Sequence, residues 1–218
     1  MRRLQKQPKP DILVANEDEW IDDLLHANPP PSNSVVASRY GASEIRAALS
    51  HETFNKCAYC ESLIGAVSYP HVEHIRPKNL HKHLTFEWSN LTLACQVCNT
   101  KKGVHDVNED NFVHPYDQNP EEEFHFAGAF MGVTANNSAA RLMRNWLDLN
   151  RADLVVLRLE VIQRVESIYL EAVSLRKESR RPFIDLSLPA ITSADKQFSR
   201  VAVCAVKYFE TEYGDLID

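Results

Sequence analysis

"HVEHIRPK", residues 71–78, sets two histidines, a glutamate and two basic side chains into the middle of an acidic chain. It lies between Cys57-Ala-Tyr-Cys60 and Cys95-Gln-Val-Cys98, two knuckles with 34 residues between them. Each knuckle can present two thiolates to one ion, and two knuckles complete a tetrahedron, so the four cysteines read as a closed, structural zinc site. Such a site can supply about 10–16 kcal/mol of apparent binding energy to a small fold. The bland alternative is four unrelated buried thiols. Cys204, in an apolar helical stretch, reads as core. The interesting chemistry therefore lies inside the loop that a metal would close.

Working outward, 218 residues suffice for one sizeable core or two small domains. The hydrophobic fraction of 44% and charged fraction of 25% are ordinary for a folded protein. No apolar run approaches the ~20 residues of a membrane helix. The start, MRRLQKQPKP, is basic, but DILVAN follows where a secretory signal would carry its apolar stretch. These features predict a cytoplasmic protein with no membrane partner. Reduced thiols in that compartment favour metal over disulfides. The net charge of −6 argues against a surface that coats nucleic acid everywhere. It leaves room for a local basic site, because screening confines a surface charge to about 8 Å.

Residues 1–15 read as a proline-broken arm, and NEDEWIDDLL (16–25) as a short helix capped by Asn16. ANPPPSNS (27–34) is a break, and GASEIRAALS (41–50) a second helix with Ser43 as cap. After the metal segment, Gly128 and Gly132 suggest a loop or hairpin. From Asn137 the chain turns helical. Across 151–178, Leu154, Leu157, Val161, Val165, Ile168, Ala172 and Leu175 form a buried stripe at three- and four-residue spacing, ended by Arg180-Arg-Pro-Phe183. A last helix over roughly 193–212 sets Phe198, Val201, Ala205 and Phe209 on one side. The expected organisation is α+β: an arm with short helices over 1–50, a zinc-stapled core over 51–115, and a mostly helical extension over 116–218.

Four submotifs in order resemble the HNH nuclease family, in the version with paired zinc knuckles: Cys57-x-x-Cys60, Glu73-His74-Ile75-x-Pro77, Ser89-Asn90-Leu91-x-Leu93-x-Cys95 and Cys98-Asn99-x-x-Lys102-Gly103. The resemblance implies a ββα-metal fold, a hairpin and a helix around one divalent ion. It makes His74 the general base, a role suited to an imidazole with a pKa near 6.5. It places Glu73 and Asn99 as ligands of a catalytic Mg²⁺ or Mn²⁺, where oxygen donors suit a hard ion. Asn90 would pin the loop so that His74 faces the phosphorus. Lys102, with Arg76, Lys78 and Lys101, would meet backbone phosphates. Many relatives carry Asp in place of Glu73, and the extra methylene moves the carboxylate. In an extended strand His71 points with Glu73 and away from His74; it is either a metal or phosphate contact or a hydrogen-bonded strand histidine. From 71 to 103 the chain carries five Lys or Arg against two Glu, a local positive site on an acidic body. His81, His83, His105, His114 and His125 read as surface or structural.

Rival readings explain fewer residues. His71-x-Glu73 with Cys95-x-x-Cys98 suggests a zinc deaminase, but leaves Cys57, Cys60, His74 and Asn99 idle and has Ala94 where a proline belongs. A metalloprotease needs both histidines on one helix, and Pro70 and Pro77 disfavour that helix. An inactive zinc-knuckle binding module needs none of His74, Glu73 and Asn99. Beyond the core, MRRLQKQPKPDIL, FVHPYDQNP and RNWLDLNRADLVVLRLEVI resemble the HNH nuclease subunit of Septu and retron-associated antiphage systems. That resemblance implies an ABC/SMC-like ATPase partner, a role in defence, and DNA as substrate, with tRNA the alternative through the retron relatives. Ile12, Leu13, Trp20, Ile21, Leu24 and Leu25 could dock such a partner or pack on this chain's own helical part.

Overall fold

The computed structural model describes residues 1–65, 70–107 and 112–217. The first two strands are short because prolines bracket the segment: Pro70 precedes β1 (His71–His74) and Pro77 follows it. The chain then crosses two single-turn 3₁₀ segments, Lys82–Leu84 and Trp88–Asn90, and returns as β2 (Leu91–Ala94). The strands pair antiparallel, with His71 opposite Ala94 and His74 opposite Leu91. Cys95 caps the next helix, which runs Gln96–Lys102, its sulfur accepting from the Cys98 N–H at 3.4 Å. Gly103, at φ +53°, ends that helix. Strand, strand and helix are the ββα unit that the motif order predicts.

The elements around it are α1 (Asp11–His26), α2 (Asn33–Tyr40) and α3 (Ser43–Thr53) ahead of the hairpin. In chain order Gln96–Lys102 is α4. A short turn of helix, α5 (Pro120–Glu123), leads into a second antiparallel hairpin, β3 (Phe124–Ala127) and β4 (Phe130–Val133). The helices α6 (Ser138–Trp146), α7 (Ala152–Ser174), α8 (Lys177–Ser187), α9 (Pro189–Thr192) and α10 (Ser199–Ile217) complete the chain. The result is a mixed helix and small-sheet protein whose C-terminal part is mostly helical. No helix among the described residues is long and apolar enough to cross a membrane.

Several expectations need correcting. α1 begins at Asp11, not after Asn16; Pro10 precedes it and its carbonyl accepts from Leu13 and Val14. Asn16 lies inside the helix and donates to the Ile12 carbonyl at 2.8 Å. A proline just ahead of the first turn costs no hydrogen bond, so the arm's last proline starts the helix instead of breaking it. Ser43 is the first helical residue of α3 and Ala42 the cap. Ser32 caps α2, a helix that starts at Asn33 inside the expected break over 27–34 and runs on to Tyr40. In α7 the buried stripe is Leu154, Arg158, Val161, Val165, Tyr169 and Ala172. Leu157 is exposed, because Arg158 turns inward under the second hairpin, its guanidinium facing the rings of Phe126 and Phe198. Arg180-Arg-Pro-Phe183 ends nothing: Pro182 lies within α8. Cys204 is only half-buried and lines an apolar cavity with Phe126, Ile162 and Tyr208. Phe198, Val201, Ala205 and Phe209 are buried together as the spacing indicates.

Two apolar clusters hold these elements. The larger runs from Met1 and Leu4 through the zinc knuckles to α6, α7 and α10, so knuckles and helical extension share one core. The smaller joins Leu13 of α1 to Val36, Ile45, Leu49, Phe86, Trp88, Leu91 and Leu93, with Ile12, Trp20, Ile21 and Leu24 packed against it. The apolar side of α1 is thus covered by this chain, on the back of the first hairpin. Only the flanking Val14 and Leu25 remain exposed. Leu13 is fully buried, and its truncation to alanine should cost about 2–5 kcal/mol. Urea unfolding of Leu13→Ala measures this; a loss near zero would mean that α1 is an appendage.

Candidate active site

The four thiols converge as the knuckle spacing requires. The sulfur atoms of Cys57, Cys60, Cys95 and Cys98 all lie within 4.8 Å of one another, and Cys60 and Cys95 approach to 3.9 Å. A zinc ion with Zn–S bonds of about 2.3 Å spaces its tetrahedral sulfurs about 3.8 Å apart, so the donor set fits that ion. The cysteines are free thiols, and burial pushes the Cys57 thiol well up. Four thiolates stay side by side in such a place only around a cation. The backbone builds the first knuckle: Cys57 N–H donates to Ser62, Glu61 N–H to Cys57, and Ala58 N–H to Leu93 of β2. That last bond ties the knuckle to the hairpin. Arg151, at the start of α7, brings Nη1 to 3.8 Å from the Cys98 sulfur and offsets thiolate charge. Nothing in its sequence setting marks it for that place.

β1 alternates as an extended strand must. His71 and Glu73 face α4, while His74 faces the opposite side. Asn99 Nδ2 donates to His71 Nδ1 at 2.9 Å. Turned end for end, the same amide sets its oxygen beside that nitrogen. An oxygen and a nitrogen about 3 Å apart span one edge of an octahedron with bonds of about 2.1 Å, so this pair fits a divalent ion. Glu73 is buried and paired with Lys102 Nζ at 2.8 Å. Burial raises its carboxyl pKa, and Lys102 pulls against that shift.

His74 is buried as well. Its Nε2 donates to the Thr85 carbonyl at 3.0 Å, and the Tyr40 ring stands edge-on at 4.8 Å. Burial pushes its pKa down to about 4, so the imidazole is neutral near pH 7. With Nε2 committed to a carbonyl, Nδ1 is left as the proton acceptor. Asn90 commits its whole amide to the loop above. Its Oδ1 accepts from Arg76 N–H at 2.7 Å, and Nδ2 donates to the carbonyls of Arg76 and Leu84, each at 3.0 Å. Both flanks of the Thr85 carbonyl loop are held by this one side chain.

A cavity of about 360 Å³ brings His71, Glu73, His74, Lys78 and Asn99 together. The other cations expected at phosphates are elsewhere engaged. Lys102 is fully buried and also donates to the His74 carbonyl at 2.9 Å, so it is a strut under β1 and meets no substrate. Arg76 pairs with buried Asp106 at 3.2 Å, which also holds His81. Lys101 pairs with Asp148 at 3.2 Å. Because His71 turns to Asn99 and not to the thiols, the zinc deaminase arrangement is absent. His105 stacks on Trp146 with centroids 3.7 Å apart, and His114 accepts from the Tyr116 and Asp117 N–H groups. Tyr40 and Arg46 also line the cavity; both lie on unremarkable helical stretches ahead of the motif.

Comparison with known proteins agrees with this geometry: residues 57–105 match the HNH endonuclease family. The chain carries an HNH endonuclease domain. It is 34% identical over 116 residues to a Septu protein PtuB of Bacillus thuringiensis, covering 53% of this chain and 42% of that protein. A second Septu protein PtuB, from Bacillus mycoides, is 31% identical, covering 45% of this chain and 40% of that protein. The match thus spans about two fifths of the length of these relatives. Around the HNH domain, zinc removal is the sharpest structural test. Purified protein should carry one zinc per chain, and a strong chelator should lower the thermal midpoint by well over ten degrees or unfold it. Cys95→Ser should lose most of the metal. A chain equally stable after complete zinc removal would show that the thiols are mere core.

Proposed function

We propose that this chain is a metal-dependent endonuclease that hydrolyses phosphodiester bonds of nucleic acid, DNA foremost, as the effector of an antiphage defence system with an ABC/SMC-like ATPase partner. The observation that carries the nuclease reading is His74: a neutral imidazole, held by a carbonyl at one nitrogen, beside a cavity shared with His71, Glu73 and Asn99. The likeness to Septu proteins supports defence and the ATPase partner.

His74 Nδ1 takes a proton from a water molecule as its oxygen attacks phosphorus and the bond to the leaving 3′-oxygen breaks. The Thr85 carbonyl favours the imidazolium that forms, and the leaving oxygen is protonated from solvent. General-base assistance of this kind contributes about 10²–10⁴-fold. Asn99 and His71, with Glu73 beside them, would hold a divalent ion, Mg²⁺ or Mn²⁺. When bound, it neutralises charge on a non-bridging phosphate oxygen and on the leaving oxygen. Lys102 holds Glu73 and the end of β1 in register, and Asn90 fixes the loop that aims His74.

Incubating the protein with plasmid DNA or tRNA, with Mg²⁺ or Mn²⁺ and with or without the ATPase, tests the reading. Cleavage should require the cation, and His74→Ala should reduce it by about 10²–10⁴-fold. Cleavage indifferent to that substitution would sink the assignment of the base, and none on either substrate under any condition would favour a binding module. Asn90→Ala should lower kcat by up to about 10²-fold, since a misplacement near 1 Å costs that much. His71→Ala should raise the cation concentration for half-maximal cleavage; an unchanged requirement would leave His71 a strand histidine.

A further inference from the structure

Resting on the nuclease reading, we infer that the α2–α3 corner, outside the HNH segment, is the substrate-facing wall of the site. Arg46 of that corner and Lys78 of the loop after β1 clamp a backbone phosphate beside the one that is cut. The cavity has two walls. One is the hairpin and α4, carrying His71, Glu73, His74 and Asn99; the other carries Ala37, Tyr40 and Arg46. Lys78 closes one end from the loop after β1.

Charge selects these two cations. Glu73 and Lys102 cancel each other, and Arg76 and Lys101 are matched with Asp106 and Asp148. Once those pairs are formed, three of the five basic residues of the motif region are spent; of the other two, Lys78 and Lys82, it is Lys78 that lines the cavity. Among the described residues, Arg46 and Lys78 form no ion pair with a carboxylate, Lys78 feeling buried Glu73 only at longer range, and both line the cavity. A phosphate entering the cavity meets both cations on one concave polar surface.

Geometry aims them. A side chain at Gly41 would place Cβ 2.6 Å from the Ala37 carbonyl and 3.2 Å from Arg46 Nη2. Glycine at the corner therefore lets the guanidinium rest against the turn, where its planar fork can meet two phosphate oxygens. Tyr40 stands between the second cation and the base. Lys78 Nζ lies 5.5 Å from its ring centroid, and the ring is perpendicular to the His74 imidazole. Lys78 is thereby held at the cavity while the imidazole keeps its orientation. Neither Arg46 nor Tyr40 touches the reacting atoms: Arg46 binds the neighbouring phosphate, and Tyr40 is a positioning residue.

The test is binding by full-length His74→Ala protein, which should retain substrate, to fluorescent duplex DNA and to tRNA across a range of salt. Adding Arg46→Ala should weaken binding on the order of tenfold, regardless of sequence, and reduce the salt slope by about one ion. Arg46→Lys should restore the slope and part of the affinity, while Lys207→Ala, an exposed change on α10, should alter neither. In the otherwise native chain Arg46→Ala should raise KM far more than it lowers kcat. Circular dichroism confirms that each variant is folded. If the His74→Ala protein binds nucleic acid and Arg46→Ala changes neither affinity nor slope, the clamp is wrong and the nuclease reading stands. If it binds neither probe, both fall.

Discussion

Four sulfur atoms within 4.8 Å of one another decide where everything else in the site can be. β1 and β2 are four residues each, too short to hold a hairpin in water unaided. The segment between Cys60 and Cys95 carries His74, Asn90 and the strand with His71 and Glu73, and the cysteine cluster at its two ends closes it. The same cluster is packed into the larger apolar core with α6, α7 and α10. Knuckles and helical extension therefore stabilise one another, and the closure of the loop is tied to the fold as a whole.

From that closure the arrangement of His74 follows by short steps. The loop leaving β1 must return to β2, and Asn90 holds both of its flanks through Arg76 and Leu84. This sets the Thr85 carbonyl against the imidazole. The next residue, Phe86, is fully buried and meets Trp20 of α1 edge-on at 5.4 Å. The N-terminal helix thus braces the loop that orients the base. An arm that looks dispensable, or free to dock, is part of what keeps the imidazole in place.

The basic residues divide in a way that composition cannot show. A positive stretch inside an acidic chain suggests a phosphate surface, but a cation matched to a nearby carboxylate contributes little attraction at distance. Three of the five basic residues between 71 and 103 are so matched, two of them by Asp106 and Asp148, which lie beyond the motif. Lys102 is the clearest case: fully buried under β1, it bridges Glu73 and the His74 carbonyl and acts as scaffold.

The sequence by itself determined the convergence of the four cysteines, the order hairpin then helix, and the opposite facing of His71 and His74. Each follows from local rules: knuckle spacing, proline brackets and the two-residue period of a strand. It also marked Phe198, Val201, Ala205 and Phe209 as one buried side. Its α7 stripe included Leu157 and left out Arg158 and Tyr169, because periodicity ranks apolar letters and cannot foresee a hairpin covering an arginine. Only the tertiary structure decided which cations are free, that α1 packs on the hairpin, and that Tyr40 and Arg46 from distant helices complete the cavity. Those outcomes depend on which residues meet across long stretches of chain, and spacing along a sequence carries no information about that.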